Sequence, residues 1–209
     1  MGAGRLAKLR AAAGALVSGV RADHDAVARF HGKYGARRHE PSPIAKDLVE
    51  KIGFQLVAAY RVMRFFREVD AKLPAQLASR AIRHLYGSDV HWEAEIAPGV
   101  MVVHGMGMAI GHAARIGRGV LIFQNCTLGE GRHPDTHEVG APTVEEEAVI
   151  GAGATILGPI TIGARSKIMP GCVVVRSVPP DSIVESPGAT VRARRPLREH
   201  EESGERVER

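Results

Sequence analysis

His104 interrupts the apolar run GVMVVHGMGMAIG. Fifteen residues before it stands Asp89, and thirteen before it stands His91, within the tripeptide Asp-Val-His. An imidazole with its ordinary pKa of ~6.5 can accept a proton at neutral pH. A carboxylate on its other nitrogen fixes the tautomer and stabilises the imidazolium. Such a pair can take the proton from a hydroxyl group too weakly acidic to ionise by itself, and that help is worth about 10²–10⁴-fold in rate. A histidine standing alone in an apolar run is more often a satisfied turn residue. The repeat that holds His104, its spacing from Asp89 and the flanking motif turn the balance toward chemistry.

The elements that hold these residues have an unusual rhythm. Ile96, Val102, Met108, Ala114, Val120 and Cys126 are spaced by six, as are Ile110, Ile116, Ile122 and Leu128. After an interruption the period returns in Val144, Ile150, Ile156, Ile162, Ile168 and Val174, beside a second row of Ala148, Ala154, Ile160, Ser166, Cys172 and Val178. Short fixed periods mean a stacked repeat. Six residues suit one short strand plus a turn, and three such units make one coil of a left-handed parallel β-helix. Gly111, Gly117, Gly151 and Gly163 are expected at turns that need a permissive backbone. Nothing helical lies between the repeats to supply the crossovers of an ordinary α/β sheet.

Upstream, residues 1–87 read as an α-helical domain. Ser42 and Pro43 open a stretch whose apolar residues Leu48, Ile52, Leu56, Ala59, Val62, Met63 and Phe66 fit a period of 3.6. A further helix, PAQLASRAIRHLYG, is expected to end at Gly87. The β-helix spans 88–191, with a polar loop, 129–147, extruded from one corner as a candidate mobile lid. A charged flexible tail, 192–209, follows.

Composition narrows the function classes. The chain has 209 residues, 44% of them hydrophobic but only 4% aromatic, with 24 glycines. Small and β-branched side chains must therefore build the core. No apolar run is long enough to span a membrane. The Ala-rich N-terminus is broken by Lys8, Arg10 and Arg21 and reads as an amphipathic helix rather than a signal peptide, so the cytoplasm is the default location. Cys126 and Cys172 lie in apolar repeats and act as small hydrophobes. Neither has ligand spacing to another cysteine or histidine, so no metal is expected. The net charge is +5, but Arg61, Arg64, Arg67, Arg80 and Arg83 scatter over helix faces without an aromatic platform, which argues against nucleic acid. Gly105, Gly107 and Gly111 do not have dinucleotide-binding spacing, and no helix follows them.

The stretches GFQLVAAYRVMRFF, SDVHWEAEIAPGVMVVHGMGMAIGHAARIGRGVLIFQNCTLG and VIGAGATILGPITIGARSKIMPGCVVVRSVPPDSIVESPGATV resemble the serine O-acetyltransferase family of hexapeptide-repeat acyltransferases. The resemblance covers residues 44–191. It implies an N-terminal α-helical region followed by a left-handed parallel β-helix, and transfer of an acetyl group from acetyl-CoA, as co-substrate, to the hydroxyl of serine or a serine-like small molecule. It gives Asp89 and His104 as the catalytic pair and His91 as a residue near the acceptor. Backbone contacts to the CoA are implied at Gly129, Ala152 and Pro170. It also implies a homotrimer with sites between subunits, and a dimer of trimers is the larger assembly open to it.

The chain departs from the family at the acceptor. Val103 stands where the typical enzymes carry an Asp that helps to hold the substrate amino group. The helical segment ARRHEPSP offers only Glu40 as a second acid. Arg132 and His133 repeat the family's Arg-His-Pro grip on a carboxylate, although counting back from VIGAGA sets that motif on Gly140, Ala141 and Pro142. Acylation of a different small hydroxyl compound is therefore the alternative, with a non-catalytic β-helix scaffold below it.

Overall fold

The computed structural model describes residues 3–34, 42–188 and 190; Glu40 and the charged segment from residue 192 lie outside them. The helices are α1 (Ala3–Tyr34), α2 (Ile44–Glu50), α3 (Ile52–Glu68) and α4 (Lys72–Tyr86). The stretch after Pro43 is not one helix, because Lys51 (φ −110°, ψ 94°) breaks it. The break turns α3 so that its first residues meet the β-helix. α3 buries Phe54, Leu56, Val57, Tyr60 and Met63, whereas Leu48, Ile52 and Val62 of the expected stripe remain exposed. α4 buries Ala75, Ser79 and Ile82 and stops at Gly87, whose φ of 56° is the left-handed conformation that ends helices. Among the described residues no helix is long and apolar enough to cross a membrane.

The chain then winds in coils of three two- or three-residue strands. The first coil holds β1 (Asp89–Val90), β2 (Glu95–Ile96) and β3 (Met101–Val102). The second holds β4 (Ala109–Ile110), β5 (Arg115–Ile116) and β6 (Leu121–Ile122). The third starts with β7 (Thr127–Gly129), leaves for the hairpin β8 (Gly131–Arg132) and β9 (Val139–Gly140), and returns in β10 (Thr143–Val144) and β11 (Val149–Ile150). β12 (Thr155–Leu157), β13 (Thr161–Ile162) and β14 (Lys167–Ile168) form the fourth coil. β15 (Val173–Val174), a bridge at Val178 and β16 (Ile183–Val184) form the fifth. First strands stack as parallel sheet A, second strands as sheet B and third strands as sheet C.

The register corrects the apolar rows. Ile96 pairs with Ile116 and Val102 with Ile122, so both belong to the row that continues through Ile110, Ile116 and Ile122. Met108 belongs to the other row, which starts with Ala94 and Val100 and runs on through Met108, Ala114, Val120 and Cys126. The corner between β3 and β4 is two residues longer than its counterparts below. Each fully buried Ile of these rows is worth about 1.5–3 kcal/mol of burial.

The corners correct the glycine reading as well. Gly117, Gly151 and Gly163 have ordinary φ; a Cβ there would lie 2.8, 2.6 and 2.3 Å from backbone nitrogens of the next coil. They are needed for close stacking, not for a left-handed turn. Left-handed φ falls instead on Asn125, Glu147, Arg165 and Asp181, along with other glycines. The excursion also ends sooner than its polarity suggests. Thr143 and Val144 already pair with β5 and β13, and Glu145–Glu147 form an ordinary solvent-facing corner.

Along the strands each coil donates N–H groups to carbonyls of the next, as in Asp89 N to Met108 O (2.7 Å) and Glu95 N to Ala114 O (2.9 Å), whereas at corners the later coil donates back, as in Asn125 N to Met106 O (3.0 Å). The first-coil carbonyls that point away from the stack therefore have no coil above them, and buried carbonyls need partners. The helices supply these partners. Ser79 Oγ donates to Val90 O (2.7 Å), Arg67 Nη1 to Glu93 O (3.0 Å) and Tyr60 OH to Ala94 O (2.8 Å). Arg61 donates to Ile96 O (2.6 Å) and Ala97 O (2.7 Å). Arg61 is buried rather than spread on a solvated helix face, and it pairs with buried Asp23 of α1 through two hydrogen bonds of 2.7 and 3.0 Å. Burial pushes the Asp23 carboxyl above its ordinary range, opposed by the Arg61 guanidinium and by N–H groups of Gly99 and Val100.

Candidate active site

The prism has three edges, and the site residues divide between two of them. The edge from sheet C to sheet A carries His104 in its lengthened first corner. His104, Gly105 and Gly107 all have left-handed φ, of 68°, 63° and 67°. Glycine takes this conformation freely, but for a histidine it is uncommon. Surrounding contacts must hold it. A Cβ on Gly107 would lie 2.0 Å from Asn125 Oδ1 below. On the helical side, a Cβ on Gly53 would lie 1.9 Å from Val102 O, and one on Gly105 would lie 2.9 Å from Gly53 Cα. The first turn of α3 therefore rests directly on the backbone that carries His104.

Asp89 begins sheet A and so stands at the same edge. Its N–H donates to Met108 O, and its carboxylate accepts from Arg83 Nη2 of α4 at 2.7 Å. Among the described residues Arg83 is the only hydrogen-bond donor to that carboxylate, and the exposed His104 makes no side-chain hydrogen bond. The Arg83 contact had no signal in the sequence. Further down the same edge lie Ala152 and Pro170. Ala152 O accepts from Gly171 N at 2.9 Å, and Gln124 O from Gly153 N at 3.0 Å, which makes a ladder of backbone contacts along the edge.

The edge from sheet A to sheet B carries the remaining candidates. His91 Nδ1 accepts from Glu93 N (3.2 Å), and its ring packs edge-on to His112 and tilted on Trp92. Loss of solvent lowers the His91 pKa below the ordinary 6.5, and His112 adds to this, while Glu93 and Asp89 pull the other way. The imidazole is therefore neutral at pH 7. His112 itself is a surface residue 3.4 Å from Glu130. Gly129 ends β7 opposite Leu157.

The hairpin projects from this edge. Arg132 Nη1 donates to His137 O at 3.3 Å, and His133 Nδ1 accepts from the N–H groups of Asp135 and Thr136. Arg176 of the last coil grips Asp135 with two hydrogen bonds of 3.1 and 3.0 Å and so ties down the hairpin tip. That guanidinium holds the Asp135 carboxyl below its ordinary range. Arg165 is likewise paired, with Asp181. The Arg132–His133 pair thus stands on a different edge from His104 of the same chain. Among the described residues no three His, Cys, Asp or Glu side chains gather as a metal site.

Val103, next to His104, is buried with Phe54, Met101 and Leu121 in an apolar cluster under the helices. A carboxylate at that position would stand in apolar surroundings largely out of water.

Comparison with known proteins agrees with the winding. The family described as "Bacterial transferase hexapeptide (six repeats)" matches residues 141–176. The chain is 35% identical over 158 residues to the serine acetyltransferase of Synechococcus elongatus, covering 73% of this chain and 64% of that protein. It is 34% identical to the serine acetyltransferase of Bacillus subtilis, covering 73% and 71%. The chain spans between 40% and 72% of the length of the curated relatives it matches, and 64% of the first of these two. Among solved structures, the Neisseria gonorrhoeae serine acetyltransferase in complex with serine superposes with a TM-score of 0.69 at 29% identity, over 84% of this chain and 68% of that one. A serine acetyltransferase in complex with CoA gives 0.70 at 26% identity, over 86% and 72%. With the three parallel sheets, these likenesses make the fold a left-handed parallel β-helix preceded by helices.

Proposed function

The chain belongs to the serine acetyltransferase family of hexapeptide transferases, and on that footing we propose that it moves an acetyl group from acetyl-CoA to the hydroxyl of serine or a serine-like small molecule. His104 acts as the general base. Its imidazole takes the hydroxyl proton as the oxygen attacks the thioester carbonyl, then returns the proton to the departing sulfur, so that ester and free thiol result. Asp89 orients the imidazole and offsets its positive charge once Arg83 shares the carboxylate. Ala152 and Pro170, on the same edge, line the path of the pantetheine arm.

The observation that carries this reading is the shared edge of His104, Asp89, Ala152 and Pro170. His91, Gly129, Arg132 and His133 belong to the other edge, so bringing them to His104 takes a second copy. A homotrimer, with each site closed between neighbours, satisfies this requirement. Exposed Met106 and Met169 on one edge and Val139 on the hairpin supply apolar surface for the contact. The cytoplasm suits two unpaired, buried cysteines.

Val103 favours a second reading, in which the acceptor is a hydroxyl compound without a free ammonium group at that point. Thiol release from acetyl-CoA, measured with serine, homoserine and amine-free hydroxy acids, separates the two. His104→Ala is expected to lower turnover by about 10²–10⁴-fold with CoA affinity retained. Turnover within threefold of the unaltered protein would remove His104 from the mechanism, and no thiol release by the unaltered protein with any of these acceptors would leave the scaffold reading.

A further inference from the structure

Ser88 is fully buried and stands immediately before Asp89. Its hydroxyl donates to Gly105 O at 3.0 Å and accepts from Met108 N at 3.1 Å. Tyr86 O, at 3.3 Å, is the longer alternative for the single hydroxyl proton. Gly105 and Met108 are the two ends of the segment that makes the first corner two residues longer than the others. Corners on this edge are tied by backbone rungs such as Gly153 N to Gln124 O, and within the irregular segment Asn125 N donates to Met106 O at 3.0 Å, which leaves its two ends to other partners. The carbonyl of Gly105 belongs to the first coil and has no coil above it to supply a donor. Ser88 supplies one. The adjoining Asp89 N–H donates to Met108 O at 2.7 Å. One dipeptide thus grips both ends of the irregular segment and presents the carboxylate beside it.

We propose that Ser88 is a positioning residue for the transfer reaction: its hydroxyl fixes the corner that carries His104 with respect to Asp89. The proposal rests on the assignment of His104 as base. Without the hydroxyl, Gly105 O and Met108 N lose their partner. The corner, with its left-handed His104, then has several conformations within reach. A displacement of about 1 Å of a catalytic group can lower a rate about 10²-fold. Ala152 and Pro170, proposed to hold the pantetheine arm, lie on lower corners of this edge, between β11 and β12 and between β14 and β15, and not in this segment.

The test compares Ser88→Ala with Ser79→Ala and His104→Ala in the full-length chain. Ser79 is also buried, and its hydroxyl donates to Val90 O, without contact with the His104 corner. Both serine variants are expected to lose thermal stability to a similar extent. Ser88→Ala is expected to lower kcat about 10–100-fold with the KM for acetyl-CoA within twofold, and Ser79→Ala to keep kcat within twofold. If kcat of Ser88→Ala stays within twofold of Ser79→Ala, or only KM changes, the positioning role is refuted. His104→Ala separates the two readings: if it remains active, the base assignment fails; if it is inactive while Ser88→Ala is fully active, only the role of Ser88 fails. Should Ser88→Ala not fold, Ser88→Cys keeps the volume with a weaker donor. A reduced kcat at unchanged KM then supports the proposal, and an unchanged kcat overturns it.

Discussion

Gly53 is the most sensitive point of contact between the helices and the site. In Gly53→Ala the new Cβ would start 1.9 Å from Val102 O, and ordinary contact begins at 3.4 Å, so about 1.5 Å must be opened. α3 cannot withdraw cheaply. Tyr60, Arg61 and Arg67 hold it to first-coil carbonyls, and each buried group left unpaired costs about 1–3 kcal/mol. The displacement therefore falls on Val102–Gly105, the segment that bears His104. At about 10²-fold per ångström, kcat should fall at least about 10²-fold, or roughly 2.7 kcal/mol in the barrier. Stability should change less. Overpacking costs about 1–3 kcal/mol, and alanine in a helix recovers up to about 1 kcal/mol. A net loss of about 0–2 kcal/mol lowers Tm by roughly 0–8 °C in a chain of this size. Gly14→Ala is the control: nothing lies within 4 Å of its Cβ, so Tm should rise slightly with kcat unchanged. Thiol-release kinetics and thermal unfolding on both variants decide the matter. A Gly53→Ala protein with kcat within threefold of the parent would refute the idea that α3 sets the His104 corner.

Two further outcomes follow from the ion pairs. Arg61→Met strands Asp23 in the interior and should cost about 3–5 kcal/mol in denaturant unfolding. The deficit should shrink as pH falls, because burial already raises the Asp23 carboxyl and a protonated Asp23 no longer needs a cation. The Asp135–Arg176 tether has the opposite sense: its carboxyl is depressed, so the tether is intact above the ordinary value of 3.8 and is lost as pH falls through the lowered one. Amide exchange at His133 and His137 in the hairpin should therefore speed up in Arg176→Ala at neutral pH relative to the parent, with the rest of the β-helix unaffected.

The period of six was legible because one side chain per strand faces the axis and stacks on its equivalents. What hid the irregular corner was a coincidence of chemistry. Met108 is apolar and falls six residues after Val102, so the two rows join into one false row across the insertion. The same blindness applies to close approach. Gly53, Gly117, Gly151 and Gly163 are glycines because another backbone lies where a Cβ would be, and a linear pattern does not record what lies opposite. The break at Lys51 was invisible for a related reason: the apolar period continues through it, while the turn is imposed by the docking of α3. Asp89 and His104 were readable as candidates because their spacing matches the catalytic pair of the family the sequence resembles. The Arg83 contact depends on how α4 crosses the first coil, which no local pattern encodes.

A β-helix has a structural difficulty at its first coil, where the carbonyls that point out of the stack have no further coil to meet them. Five of them are met by side chains of α3 and α4, and a sixth, that of Gly105, by Ser88. The first coil is also the only described one whose corner at the His104 edge is lengthened. These two facts are connected. A corner in mid-stack is fixed from above and below by backbone rungs and has no room for two extra residues. At the end of the stack the upper partner is a helix, which can be shaped around an insertion. Gly53 and Gly105 are the result, two glycines in contact where the cap meets the irregular corner. The helical region thus closes the open end of the sheets and, by the same contacts, holds His104 in a backbone conformation that a histidine rarely adopts unaided.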